Sequence, residues 1–233
     1  MIRKIIEKLV FEWNMRSEKA HINFLRKKGV QIGSNCLFRY HRTIWIDETR
    51  PALITIGDNV SFNRGFVLLT HDFVSGIFLN LYNDFVPAGK RVIIGNNVRF
   101  GAHCTVLAGA KIGDNCFIGA NSLVNKEIPS NSVAVGIPAK VICSIEEFYE
   151  KRKKLYVEEV MDYARCIQER FGRRPVVEDF TEDYPAFVDG SNFDKYDLPY
   201  YKAFHPKQFE IWKQKHKAPF KDFEEFLKAA GIE

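Results

Sequence analysis

A six-residue period dominates this chain. Counting in sixes from Ile94 gives Ile94, Phe100, Val106, Ile112, Ile118 and Val124, all apolar. The following position reads Gly95, Gly101, Leu107, Gly113, Gly119 and Asn125, mostly glycine. The fifth position reads Val98, Cys104, Ala110, Cys116, Ser122 and Ile128, mostly small. The same frame opens at Ile32-Gly33, with Phe38 and Ile44 on the apolar step, and again at Ile56-Gly57, followed by Phe62 and Leu68; Arg50 interrupts between them. A helix repeats its apolar residues every three or four positions and a half-buried strand every two. A period of six with glycine after the apolar residue describes a short strand and a tight turn. Three such units make a triangular rung of about 18 residues, and rungs stack into a parallel β-helix. The Asn and Asp residues of IGDNV, IGNNV and IGDNC suit its corners, where short polar side chains bond to nearby backbone.

The frame breaks between Leu68 and Ile94, whose separation is not a multiple of six. Removing about 20 residues, Asp72 to Arg91, restores it, so HDFVSGIFLNLYNDFVPAGK reads as a loop thrown out from a corner, and long loops in compact domains tend to be functional. Three segments result: an N-terminal helical cap over 1–30, the repeat over 31–142 with its excursion near 72–91, and a helical and irregular extension over 143–233. Ile2, Ile5, Ile6, Leu9, Val10 and Trp13 recur at helical spacing. The stretch from Ser144 to Phe171 reads as a helix, with Ile145, Phe148, Tyr149, Tyr156, Val160, Tyr163, Ala164 and Ile167 on one face, and a last helix runs from Pro219 or Lys221 to Ala230. The basic run Lys151 to Lys154 reads as a solvated helix face.

The hydrophobic share of 46% and the charged share of 27% are those of a soluble globular chain. A net charge of +5 suits a polyanionic small molecule, and no nucleic-acid motif accompanies it. The five cysteines form no CxxC pair, so neither a disulfide framework nor a zinc knuckle is expected. No apolar run reaches the roughly 20 residues of a membrane span. The N-terminus lacks the marks of a signal peptide. A cytoplasmic protein is expected, with membrane association by the N-terminal helix not favoured over packing on the end of the coil.

The segment IGNNVRFGAHCTVLAGAKIGDNCFIGANSLVNKEIPSNSVAVGIPAKVI resembles the hexapeptide-repeat acyltransferases, nearest the galactoside, maltose and xenobiotic O-acetyltransferases. The resemblance covers about Gln31 to Ile142. It rests on the uninterrupted repeat, the closing NKEIPSNSVAVGIPAKVI, and Thr70-His71 at the head of the excursion. It implies a left-handed β-helix, against the usual right-handed crossover, a homotrimer with active sites between subunits, and acetyl-CoA as acyl donor.

It also implies roles for particular residues. His71 is the catalytic base: an imidazole near its ordinary pKa can take a hydroxyl proton and return it to the leaving thiolate. Asp72, next along, is a candidate to orient that imidazole or touch the acceptor, although neighbours on a strand point opposite ways. Ala102 matches the position whose backbone N–H meets the thioester carbonyl. Ala120 matches a position along the pantetheine arm. Asn125 and Lys126 match a pair near the coenzyme tail, and Lys140 offers a point charge to its phosphates. Asp47 and His103 are candidates for the acceptor side. The family's acceptor-binding asparagine has no clear counterpart in RYHRTIWID, Cys143 stands where the family often has arginine, and Arg99 replaces an aromatic residue.

His41, His71 and His103 share the fourth position of their hexads, which raises a metal hydratase of the same fold as a rival. Its ligand spacing, with two histidines five residues apart, is absent, and no metal is expected. Cys36, Cys104 and Cys116 read as small core residues. The expected activity is O-acetylation of a sugar or glycan hydroxyl. N-acetylation of an amino-sugar is the runner-up and a non-catalytic scaffold the alternative of a different class.

Overall fold

Glycine follows the inward apolar residue because there is no room above it. A methyl group on Gly57 would stand 2.6 Å from Asn96 Oδ1 and 2.7 Å from the Gly95 carbonyl carbon, both in the next rung. The computed structural model describes residues 2–196 and 205–233, and in it these close approaches recur along a parallel β-helix of the left-handed kind.

The first rung holds β1 (Gln31–Ile32), β2 (Leu37–Phe38) and β3 (Trp45–Ile46), and the second β4 (Ile54–Ile56), β5 (Ser61–Phe62) and β6 (Val67–Leu68). The third holds β7 (Val92–Ile94), β8 (Arg99–Phe100) and β9 (Thr105–Val106), and the fourth β10 (Lys111–Ile112), β11 (Phe117–Ile118) and β12 (Leu123–Val124). β13 (Glu127–Ile128), β14 (Ser132–Val135) and β15 (Lys140–Ser144) close the coil. Stacking gives three sheets: β1-β4-β7-β10-β13, then β2-β5-β8-β11-β14 with β15 antiparallel at its edge, and β3-β6-β9-β12.

Register lines the inward residues up. Ile32, Ile56, Ile94, Ile112 and Ile128 form one column. Phe38, Phe62 and Phe100 begin the second, with rings 5.0 and 5.3 Å apart. Ile46, Leu68, Val106 and Val124 form the third. All are buried. Burial at about 25 cal/mol per Å² of apolar surface makes these columns the main source of stability. Corners are held by side chains. Asn59, Asn97 and Asn115 adopt left-handed backbone, which asparagine tolerates. Asn97 Nδ2 donates to Asn115 Oδ1 at 3.0 Å, and Asn115 Nδ2 to Asn131 Oδ1 at 2.9 Å.

The register corrects the hexad frame at two places. Ile46, not Ile44, stands opposite Leu68, because a 3-10 turn at His41–Thr43 inserts two residues, and a second at Pro51–Leu53 lies in the next corner. Ile44 is buried but off the column. At the other end Ile128 is not a fifth-position residue: it pairs with Ile112 on the inward column, because it follows Val124 by four positions instead of six.

Helix α1 (Ile2–Asn14) precedes α2 (Glu18–Lys28). α2 is begun by Ser17, whose Oγ accepts from Ala20 N at 3.2 Å, and ended by Gly29 at φ 110°, a left-handed cap suited to glycine. Ile22 and Leu25 of α2 join the core of the coil and cover its first rung. The side chains of Ile2 and Ile5 lie outside the described residues. Ile6, Leu9, Val10 and Trp13 of α1 are exposed, so the covering of the coil end falls to α2. The excursion contains a helix the hexad count does not foresee, α3 (Ser75–Tyr82), and its base is closed by Lys90 N donating to Thr70 O at 3.0 Å.

Residues 1–148 and 149–233 form two compact units, and α4 (Ile145–Phe171) starts in the first and continues in the second. Its start is a capping box between Ser144 and Glu147. The second unit is built on an aromatic core in which Phe180, Phe187, Phe223 and Phe226 pack at ring distances of 5.0 to 5.9 Å, with Val160, Ala164 and Ile167 of α4 buried against them. Helices α5 (Pro206–Lys215) and α6 (Phe223–Ala229) complete it, α6 being capped by Asp222. No helix among the described residues is long and apolar enough to cross a membrane.

Candidate active site

Two neighbouring strands deliver two residues to one corner. β3 ends at Ile46 and β6 at Leu68, and their pairing sets Asp47 beside Leu69 and Thr70, with Asp47 N donating to Leu68 O at 2.9 Å. Asp47 is 4% exposed, and both carboxylate oxygens are occupied. Oδ1 accepts from Thr49 N at 2.9 Å and Thr49 Oγ1 at 2.6 Å. Oδ2 accepts from Thr70 N at 3.1 Å, from the Thr70 hydroxyl, and from His71 Nδ1 at 2.7 Å. Burial by itself would raise the Asp47 pKa. The hydrogen bonds from Thr49, Thr70 and His71 outweigh it and hold the carboxyl well below the usual range, so Asp47 is ionised at neutral pH.

An ionised carboxylate only accepts, so the proton of the His71 ring is on Nδ1. Nε2 is left as the basic nitrogen. The His71 side chain is 14% exposed, and the exposed Phe73 ring stands edge-on to it at 5.2 Å. The Arg50 guanidinium donates to the carbonyl of Ala88 and pins the returning arm of the excursion.

The carboxylate on the His71 ring is therefore that of Asp47, not that of Asp72. The Asp72 carboxylate accepts from Val74 N at 3.1 Å and leads into α3, as adjacent residues facing opposite ways require. Asp47, expected at the acceptor, is buried with its oxygens filled and has no capacity left for one. The pairing is hidden in sequence because Ile46 pairs with Leu68, 22 residues on instead of 18, and His71 lies two residues beyond the Leu69 that stands beside Asp47.

The remaining residues occupy other corners. Ala102 and Ala120 lie between the second and third sheets in successive rungs, where Asn121 N donates to Ala102 O at 2.8 Å. The backbone N–H groups of Ala102 and Ala120 have no partner among the described residues. His103 is exposed at the same corner, in left-handed backbone, with its ring lying over Gly65. Asn125 and Lys126 are exposed on the corner that carries His71, two rungs further along. Lys140 is exposed and opens β15. Within one chain His71 thus stands on a different corner from the free amides of Ala102 and Ala120. His41 Nε2 is taken by the Met15 carbonyl at 2.9 Å. Cys36, Cys104 and Cys116 are buried, and burial pushes their thiols up, away from nucleophilic use.

A coil of hexads of this kind has known counterparts. Residues 91–126 match the family described as Bacterial transferase hexapeptide (six repeats). The chain is 37% identical over 128 residues to Protein CapG of Staphylococcus aureus, covering 54% of this chain and 73% of CapG. It is 36% identical over 128 residues to galactoside O-acetyltransferase of Escherichia coli, covering 54% of this chain and 59% of that enzyme. A crystal structure of a maltose O-acetyltransferase from Clostridium difficile is 31% identical, covering 61% of this chain and 85% of that one, with a TM-score of 0.42. The chain belongs to the hexapeptide-repeat acyltransferase family.

Proposed function

We propose that this protein transfers an acetyl group from acetyl-CoA to a hydroxyl of a sugar or glycan, with His71 as general base. The observation that carries this is the Asp47–His71 contact of 2.7 Å, which fixes the tautomer and leaves Nε2 as the basic nitrogen. The names of the galactoside and maltose O-acetyltransferases support the acceptor class. When bound, the thioester supplies an activated acetyl carbonyl. His71 Nε2 takes the acceptor O–H proton as its oxygen attacks that carbon, and the same proton passes to the thiolate as the C–S bond breaks. The developing imidazolium is stabilised by the Asp47 carboxylate, as in other histidine–carboxylate pairs. The unpaired N–H of Ala102 suits the carbonyl oxygen and that of Ala120 the pantetheine arm, while Asn125, Lys126 and Lys140 offer exposed polar groups for the coenzyme tail.

Separate corners for His71 and the free amides favour a site completed by a neighbouring copy, which supports a homotrimer. So does the apolar character of the excursion, where Phe73, Ile77, Leu81, Tyr82 and Phe85 are all more than half exposed in the single chain. Use of acetyl-CoA fits a cytoplasmic location.

Calorimetric titration with acetyl-CoA tests the donor, and micromolar binding at one site per chain is expected. His71→Ala should keep that affinity and lose about 10²- to 10⁴-fold in turnover, the usual range for a positioned base. A fully active His71→Ala enzyme, or no acetyl-CoA binding at millimolar concentration, sinks the proposal.

A further inference from the structure

Between residues 149 and 233 the chain has sixteen Lys and Arg and seventeen Asp and Glu, so this part is close to electrically balanced. One groove in it is not. Tyr149, Arg152, Lys153 and Tyr156 fall at i, i+3, i+4 and i+7 and share one face of α4. Gln208, Ile211, Trp212 and Lys215 do the same on α5. Together with His216 and Lys217 they line a cavity of about 710 Å³, and no carboxylate is among the described residues of its wall. Such facing stripes normally interdigitate as apolar core. Here they leave a cationic, aromatic cleft open.

Its cations are available. Arg152 is held by Glu159, at 2.8 and 2.5 Å, but Lys153 and Lys215 have no ion pair among the described residues. Its aromatic wall is preorganised. The Trp212 ring stacks on His216 at 4.8 Å and on Phe209 at 5.3 Å, and His216 Nε2 contacts the Pro185 carbonyl at 2.7 Å. Glu159 neutralises Arg152 and Asp189 interacts with Lys217, and a negatively charged occupant relieves the repulsion left among Lys153, Lys215 and Lys217. Inorganic anions leave the aromatic faces unused. Broad electrostatic capture of nucleic acid needs a basic surface, which a balanced unit does not provide.

We propose that this groove binds an acidic saccharide chain, the apolar faces of its rings against Tyr149 and Tyr156 and its carboxylates on Lys153, Lys215 and Lys217. Aromatic side chains offer large rigid faces, and lysines act as point charges on anionic groups. The identification of this saccharide with the acetyl acceptor rests on the glycan reading above; binding itself does not.

The test is calorimetric titration of the full chain, without acetyl-CoA, against oligogalacturonate, a neutral malto-oligosaccharide of equal length, and oligothymidylate. Oligogalacturonate is expected to bind with salt-sensitive affinity, and the neutral sugar at least about tenfold more weakly. The surface variant Lys153→Gln/Lys215→Gln should lose about tenfold in oligogalacturonate affinity while its acetyl-CoA affinity stays unchanged. Equal binding of the neutral sugar, tighter binding of oligothymidylate, an unaffected double variant, or no saccharide binding at millimolar concentration each overturns the proposal. Loss of acetyl-CoA binding or an active His71→Ala enzyme would instead fell the transferase reading and leave the groove standing.

Discussion

His21 sits inside the coil end at 3% exposure, edge-on to Phe38 at 5.4 Å and 6.5 Å from the His41 ring, with its Nδ1 unpartnered. Burial first, and the neighbouring His41 charge second, push its pKa down to about 4, while a hydrogen bond with the His41 backbone works the other way. The sign follows from proton uptake. The unfolded chain takes this proton near pH 6.5 and the folded one only near pH 4, so the contribution of His21 is fully present above pH 6.5 and is lost as pH falls toward 4. A shift of this size is worth roughly 3 kcal/mol. Urea unfolding of the native chain should therefore show stability declining over that window, and His21→Leu should flatten the decline. Equal slopes in the two proteins would refute the assignment. Asp47 works in the same direction but at lower pH: its depressed pKa contributes stability above the ordinary carboxyl range and loses it only in stronger acid.

Among elements, glycine has two different meanings. Gly57 lies under the backbone of the next rung, where a methyl would come within 2.6 Å of Asn96 Oδ1, and its neighbours in that column are held by strand pairing on both sides. Gly76 lies in α3 with nothing within 4 Å of the position a methyl would take. Gly57→Ala should cost roughly 2–4 kcal/mol, because rungs must separate to admit it. Gly76→Ala should be neutral or stabilise by up to about 1 kcal/mol through helix propensity. Thermal midpoints of the two variants decide this, and equal effects would mean that the column tolerates expansion.

For the whole molecule, the exposed apolar excursion and the proposed division of the site between corners favour association. Light scattering on the purified protein should give about 81 kDa, three times the 27.0 kDa chain. Replacing Phe85, 62% exposed on the excursion, with Glu should shift the species toward monomer and lower turnover together. A fully active monomer would remove the case for a shared site.

The repeat was legible because each hexad states the same physical demand: an apolar residue inward, then glycine where the next rung leaves no space. Local periodicity encodes that demand, so the coil, its corners and the position of the excursion could all be read from residue order. His71 was legible in the same way, as the residue where the frame stops. Its partner was not. Asp47 meets His71 through the lateral pairing of β3 with β6, and four residues inserted between those strands erase the arithmetic that would connect them. The two residues inserted before β3 moved Ile46 into the place that counting assigns to Ile44. The helix within the excursion and the cationic groove of the second unit were hidden for a related reason. Each depends on which faces meet in three dimensions, and that is set by packing across the chain, where a count along it carries no information.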